Sequence, residues 1–435
     1  MSLTRRTLLG STAALATAGT LAACASSGTA GTAASSAAGV KNIGFTFWGP
    51  DFYQKFTGQM VDAFMAANPD VKVVNQPSEW GSYWDKLATK TAGNDTPDVI
   101  NMDGKYLAEY GGRGVLADLS TMKGLDLSQL SQADKEAGTF KGKLYALSTG
   151  WNAFVIFANP TLFKQAGVAV PDDKTWTWPM LMDIAKTISQ KAGNGVVGLT
   201  GGGTYADATI FLRQHGEDLF TDTGVGYKDE TLATWFQWHL DVAESGAGLN
   251  ATKATEDGGA AYEAQAFPTN KSAMFWSWTN QLENARKSSG KSDVVMLRPP
   301  SDAGQVEKNG LFLKASMFWS VSARSKQPEA SARLVNFLMN DPKAAEIQLV
   351  ARGVPSSKAA LDAMASKLGE TDKYIVSWLA AAGKEITMKA PAIQPQGTAD
   401  SLNSIARAIQ DVRFRKISPL DAAKRVTAEI KAMVK

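Results

Sequence analysis

The chain has one cysteine, Cys24, and two histidines, His215 and His239, in 435 residues. One cysteine permits no internal disulfide and no cysteine-based metal cluster. Two histidines, both inside helical patterns, leave no ligand set for zinc and disfavour histidine-dependent nucleophilic catalysis. Both are expected to pack in a core, and no metal or cofactor is expected. A surplus of one charge is lacking too: with Arg5 and Arg6 set aside, 43 Lys and Arg stand against 42 Asp and Glu. A nearly neutral chain has no basic excess with which to hold phosphate backbones, which excludes nucleic acid as a partner.

The first residues read as an address and a tether, not as fold. Thr4-Arg5-Arg6-Thr7-Leu8-Leu9 resembles a twin-arginine export signal, with Leu8 in place of the usual Phe. The apolar run behind it is short of the ~20 residues that span a bilayer. It ends at Leu21-Ala22-Ala23-Cys24, which resembles a bacterial lipobox. Cleavage of residues 1–23 would leave Cys24 as the lipidated first residue and membrane anchor. Residues 24–39 continue almost entirely in Ala, Ser, Gly and Thr, too poor in apolar surface to offset chain entropy, and form a flexible tether.

From residue 40 onward the length exceeds what one hydrophobic core supports, so two lobes are expected. Lys41 to Trp48 alternates apolar and polar and breaks at Gly49-Pro50, the pattern of a strand and a loop. Tyr53 to Asn68 has apolar residues at one-face helical spacing and stops at Pro69. Val71 to Val74, Tyr83 to Ala92 and Pro97 to Ile100 continue as strand, helix and strand, the order of a parallel sheet covered by helices. Ligands of such sheets sit beyond the carboxyl ends of the strands. Those ends are Trp48-Gly49-Pro50, Glu79-Trp80 and Asn101-Met102-Asp103. Further on, Trp151 to Asn159 and Leu311 to Val321 read as extended. Trp178 to Gln190, Asp207 to His215, Lys228 to Glu244 and two segments after Thr398 read as helices.

Several short signatures stand in one order: Phe47-Trp48 before a helix, Pro97-Asp98-Val99-Ile100, Gly142-Lys143-Leu144-Tyr145, Phe157-Ala158-Asn159-Pro160, Thr175-Trp176-Thr177-Trp178, Ser272-Ala273-Met274 with Trp276 and Trp278, and Ser320-Val321-Ser322-Ala323. Behind a lipobox, this order resembles the carbohydrate-binding class of ABC-transporter solute-binding proteins, solute-binding family 1, which includes the maltodextrin-binding proteins. The likeness covers essentially the whole mature chain. Phe157-Ala158-Asn159 departs from it, since the family usually has paired tyrosines or Tyr-Asn there. The resemblance implies an α/β, periplasmic-binding-protein-like fold, with two lobes each built on a helix-flanked sheet and joined by hinge segments. Residues 40–150 plus 318–370 would form one lobe and 151–317 plus 371–435 the other. Crossings would fall near Thr149 to Asn152, near Lys314 to Met317, and between Leu361 and Pro391. It also implies an exported, monomeric lipoprotein, not an enzyme, on the outer face of the cytoplasmic membrane. That lipoprotein would pass a mono- or oligosaccharide to two transmembrane permease subunits.

A pyranose has apolar faces and a rim of hydroxyls, so its site needs aromatic platforms and fixed polar groups. Of twelve tryptophans, Trp48, Trp80, Trp151, Trp276 and Trp278 fall at strand ends or loops and are the platform candidates. A tryptophan serves a core as readily as a site, and Trp176, Trp178, Trp235, Trp238 and Trp378 lie in patterns that suit a core. Glu79 and Asp103 offer acceptors, and Asn152 both donates and accepts. Ser316 and Met317 lie on the second crossing. Tyr205, after Gly201-Gly202-Gly203, and Arg352, before Gly353, reach the site from loops or are merely solvated. A glycoside hydrolase would also combine platforms with two carboxylates, but at this size it would more often show eight strand-helix repeats. A polyamine would need several carboxylates, and glycerol phosphate or an iron chelate would need other contacts; neither pattern is clear. A non-transport adhesin is a further alternative.

Overall fold

Ile43, Phe45 and Phe47 alternate along the strand Lys41–Trp48 and are buried together against the helices Asp51–Ala67 and Pro328–Asn340. In this computed structural model residues 39–49 and 51–434 are described. The leader, with Arg5, Arg6 and Cys24, and the tether to residue 38 lie outside the described residues. Lys41–Trp48 sits inside a five-stranded sheet ordered Val71–Ser78, Lys41–Trp48, Val99–Met102, Phe318–Val321, Leu147–Ser148. The first three strands are parallel, as the strand-helix order demands, and Phe318–Val321 runs against both neighbours. Because Lys41–Trp48 is an inner strand with neighbours on both sides and helices on its faces, Thr46 is buried as well as the apolar residues, so the alternation fades toward Trp48.

A second sheet is ordered Val295–Leu297, Trp151–Ala158, Ser272–Trp278, Val197–Thr200, with Leu313–Ala315 pairing to the start of Trp151–Ala158. Trp151–Ala158 is buried almost throughout, the reading of a strand covered on two faces. One face packs Phe154 and Ile156 with Trp176, Leu181 and Trp235, and with the closing helices Ser401–Arg413 and Pro419–Met433. The other packs Val155 and Phe157 with Trp378 of the helix Glu370–Glu385. Each of these helices has the amphipathic spacing its sequence shows. Among the described residues no helix is long and apolar enough to cross a membrane.

The extended segment expected over Leu311 to Val321 divides in two. Leu313–Ala315 belongs to the second sheet and Phe318–Val321 to the first, so this one stretch serves both. Thr149 to Trp151 lies beside it: the Thr149 amide donates to Met317 O at 2.9 Å, and the Ser316 amide to Gly150 O at 2.8 Å. A third stretch flanks these two, with Trp151 and Val354 exchanging both backbone bonds at 2.8 and 3.0 Å. That third stretch, 353–354, lies just ahead of the Leu361 to Pro391 interval expected for the last crossing. Ala360 and Met364 share the cluster of Val155 and Trp378, but their helix, Lys358–Met364, also packs on Pro342–Gln348 and Pro328–Asn340, so residues 354–364 touch both bodies. The close pairing at 353–354 has a local cause. Gly353 has φ +89° and lies against Gly150, where a Cβ would come 2.7 Å from the Gly150 carbonyl carbon and 2.8 Å from the Trp151 nitrogen. Only glycine allows backbones to approach this closely.

Candidate ligand-binding cleft

The carboxyl ends of the first sheet's parallel strands, where the strand rule places a ligand, open onto a cleft whose far wall comes from the second sheet. Two adjoining cavities fill it. One, of about 290 Å³, is bordered by Trp48 and Asp103 on one side, by Tyr205, Trp278, Asn280 and Gln281 on the other, and by Asn152, Ser316 and Met317 below. The second, of about 280 Å³, is bordered by Trp80, Trp151, Phe312, Phe318 and the segment 390–394. Asp103, Tyr205, Lys314 and Ala315 border both.

The side chains around the cleft are held from behind. Asp103 ends its strand and caps the helix Gly104–Gly112, accepting from the Lys105 amide at 3.0 Å. Trp151 donates its indole N–H to Asp134 Oδ1 at 2.8 Å. That fully buried carboxylate also accepts from the Ser131 amide and hydroxyl and from the Ser356 hydroxyl, so the ring is fixed by a saturated acceptor. Asn152 accepts from Thr279 Oγ1 at 3.2 Å, which orients its amide beside the cavity. Trp80 is the most open platform, 41% exposed, with the edge of Trp48 at 5.1 Å and the Lys105 ammonium 5.0 Å above its ring.

Lys314 stands at the junction of the two cavities. Its ammonium donates to Ala315 O at 3.1 Å and lies 5.5 Å from the Trp278 ring centre. Burial works against its charge, yet Tyr205 and Asp103 more than offset this, and its pKa lies above the ordinary lysine value. Tyr53 also borders the cleft and donates to Ala351 O at 2.8 Å. Burial pushes its phenol up, partly countered by Arg352 and by Asn280.

Tyr205 is placed by a network that looks catalytic and is not at the cleft. The loop Gly201-Gly202-Gly203 has φ near +70° at all three residues, which glycine alone adopts without cost. Asp207 ties this loop down: Oδ2 accepts from the Gly203 amide at 2.9 Å, from His239 Nε2 at 2.8 Å and from Trp235 Nε1 at 3.1 Å, while Oδ1 accepts from the Thr204 amide and hydroxyl, both at 2.8 Å. Arg413 donates to His239 Nδ1 at 3.3 Å, so the imidazole is neutral with its proton on Nε2. Burial, opposed by Asp207, lowers its pKa. His239 is the core residue expected. His215 is not: it is exposed at the end of its helix, beside Asp302 at 3.3 Å.

Trp48, Trp80, Asp103, Trp151, Asn152, Tyr205, Trp278, Ser316 and Met317 are all brought to the cleft. Three candidates are not. Trp276 is 2% exposed and stacks between Phe154, at 5.6 Å, and Trp178, at 6.2 Å. It precedes Trp278 by two residues on one strand, so their rings share a face, but only the strand's end reaches the opening. Arg352 is fully buried under the floor, among the rings of Tyr53, Phe56 and Trp319 at 4.9 to 5.3 Å, with Thr57, Asn101 and Met317 as partners. None of these is a carboxylate, and desolvation lowers its pKa to about 10. Glu79 precedes the helix Trp80–Ala92 and faces Gln54 Nε2 at 3.4 Å, outside both cavities. The sequence reading also passed over Tyr53, Asn280, Gln281 and Lys314 as contacts. Lys314 was within reach, because residues 314 and 316 of one extended segment share a side.

The sequence profile of the bacterial extracellular solute-binding proteins matches residues 59–374. Over 329 residues the chain is 22% identical to the diacetylchitobiose binding protein DasA of Streptomyces coelicolor, covering 72% of this chain and 76% of that one. It is 31% identical over 151 residues to an uncharacterized lipoprotein in the oleD 5' region of Streptomyces antibioticus; that match spans 34% of this chain and only about a third, 33%, of the relative. Among solved structures, a periplasmic solute binding protein from Pectobacterium atrosepticum superposes with a TM-score of 0.79 at 20% identity, over 90% of this chain and 98% of the other, a likeness of fold. A profile match over well over half the chain, on a two-sheet body with a cleft at its strand ends, places the protein by descent: the chain belongs to the bacterial extracellular solute-binding protein family.

Proposed function

We propose that the chain is the sugar-capturing component of an ABC importer, binding a mono- or oligosaccharide in the cleft and presenting it to two transmembrane permease subunits. The observation that carries this reading is the convergence, at one opening, of aromatic faces and fixed polar groups from both sheets. Trp80, Trp151 and Trp278 supply the faces, and Asp103, Asn152 and Tyr205 the rim. The diacetylchitobiose specificity named for the Streptomyces coelicolor relative supports a sugar. Of the acids bordering the cleft, Asp103 stands near Lys314 and Asp218 is paired with Arg213 at 2.8 Å, a poor box for a polyamine, whose charges need several uncommitted carboxylates. In this reading the first sheet with its helices and the second sheet with its own form the two lobes, and the stretches at 149–151, 315–317 and 353–354 are the hinge. Export through Arg5 and Arg6, a lipid on Cys24 and a monomeric state belong to the same proposal.

A thermal-shift screen of the purified protein against mono- and oligosaccharides, with polyamines, glycerol phosphate and metal ions as controls, tests it. A ligand that binds only the folded state stabilises it by ~2.7 kcal/mol at a hundred times its dissociation constant. A rise with an unhydrolysed sugar is the expected result. A rise with a control alone overturns the sugar, and cleavage of the sugar overturns the binding role.

A further inference from the structure

The two cavities of the cleft differ in what their walls offer, and this asymmetry bears on the ligand more sharply than the presence of tryptophans does. In the first, Tyr53, Asp103, Asn152, Asn280 and Gln281 give donors and acceptors on opposite sides of a space that suits one hydroxylated ring. In the second, Leu219, Phe220, Phe312, Phe318, Ile393 and Leu402 form an apolar wall, and the rings of Trp80 and Trp151, flat faces for an aryl group as much as for a sugar, border it too. Besides Lys105 and the Asp103, Tyr205 and Lys314 shared with the first space, the polar side chains that border this second space are committed elsewhere. Asp218 accepts from Arg213 Nη1 and from the Leu219 amide, both at 2.8 Å. Thr209 donates to Tyr205 O at 2.8 Å, and Gln394 donates to Ser401 Oγ at 3.2 Å. A second sugar ring placed there would remove its hydroxyls from water and leave most of them without partners, which costs about 1–3 kcal/mol for each such group. An apolar group of the same size would lose nothing and gain the transfer of its surface from water.

The outer wall of this space reinforces the point. Residues 390–394 have neither helix nor strand, yet Ile393 packs against the buried cluster that holds Met102, Tyr110 and Phe318 while Arg213, in the second body, donates to the backbone carbonyl of Lys389. The segment therefore bridges the cleft over its apolar half and brings Ala390, Pro391, Ala392 and Ile393 against whatever lies there.

Building on the sugar reading above, we infer that the cleft takes an amphipathic glycoside, with a single sugar ring in the polar compartment and an apolar aglycone, aryl or alkyl, in the compartment walled by Phe312 and Ile393. Lys314, Tyr205 and Asp103, which border both, stand where the glycosidic link would lie. Isothermal titration of the purified full chain separates this from other outcomes, with methyl, p-nitrophenyl and octyl glycosides of the same sugars, the octyl compounds kept below micelle-forming concentration, and the matching disaccharides. For each sugar bound as its methyl glycoside, the p-nitrophenyl and octyl glycosides are expected to bind roughly tenfold tighter or more, from the apolar area buried. In Ile393→Ser and Leu402→Asn that aryl-to-methyl ratio is expected to fall toward one. The ratio is read within one protein preparation, so a partly folded variant still reports it. A ratio near one in the unsubstituted chain, or a disaccharide that gains as much as the aryl glycoside, overturns the inference and leaves the sugar reading standing. Failure of every glycoside and free sugar to bind overturns both.

Discussion

Two tryptophans separated by one residue show how differently the same side chain is used. Trp276 and Trp278 point to the same face of the strand Ser272–Trp278, but Trp276 fills the core between Phe154 and Trp178 while Trp278 reaches the cleft beside Lys314. Trp276→Ala is therefore expected to cost about 3–5 kcal/mol of folding stability, read from urea unfolding, because it empties a core position. Trp278→Ala is expected to weaken sugar binding by ~1 kcal/mol or more, read by calorimetry, with a much smaller loss of stability. A stability loss in Trp278→Ala as large as that of Trp276→Ala would put both rings in the core. The sequence shows that two aromatic residues share a face but not where the strand leaves its sheet, and that distance decides which ring meets ligand. Arg352 was illegible for a related reason. An arginine before Gly-Val-Pro suggests a solvated loop, whereas three rings from two distant segments, Tyr53, Phe56 and Trp319, close over it only in the folded chain.

At the scale of elements, the strand-helix-strand reading from Lys41 to Met102 holds because alternation and helical spacing are local and strong there, with boundaries within a few residues of those seen. The strand ends Trp48, Trp80 and Asp103 followed from that order, since a parallel sheet leaves its ligand no other edge. What local patterns could not show is the buried clamp on Gly201-Gly202-Gly203, which joins the helices Tyr205–Gln214, Asp229–Glu244 and Ser401–Arg413 through Asp207, His239 and Arg413. This clamp sets a pH dependence. His239 is held neutral by burial, with its folded pKa below the ordinary imidazole value of about 6.5, so unfolding makes it easier to protonate. As pH falls below about 6.5 the unfolded chain takes up a proton the folded chain does not, and stability falls, by up to ~1.4 kcal/mol per pH unit. Asp207, also lowered, acts in the same sense only near and below its ordinary value of 3.8. Urea midpoints measured from pH 7.5 to 5 should therefore decline, and His239→Gln, which cannot take up that proton, should flatten the decline. An equal slope in the variant would assign the pH dependence to other groups.

For the whole molecule, the question is what the three adjoining stretches allow. Each sheet has its own buried core, and in the proposed reading the hinge lies where Thr149 to Trp151 pairs by backbone hydrogen bonds with 315–317 and with Val354. A joint of this kind permits rotation about the ladder while resisting shear, because a small change of φ and ψ at glycines moves one body without breaking either core. The two-lobe plan was legible from length and segment order, but the backbone pairing of Trp151 with Val354 was not. Its signal is a close approach of Gly150 and Gly353, which are far apart in sequence. In the proposed reading, contacts a ligand makes to both walls at once, such as Trp80 and Asp103 with Tyr205 and Trp278, would favour a closed arrangement by their combined free energy, and only by that amount. Small-angle scattering of the protein with and without saturating sugar is expected to show a smaller radius of gyration in the bound state. In Trp278→Ala at sugar concentrations that still saturate it, the compaction should be reduced, because one of the two walls has lost its grip. Full binding without any compaction would mean that the walls are already at their bound separation, and the hinge would then have no part in capture.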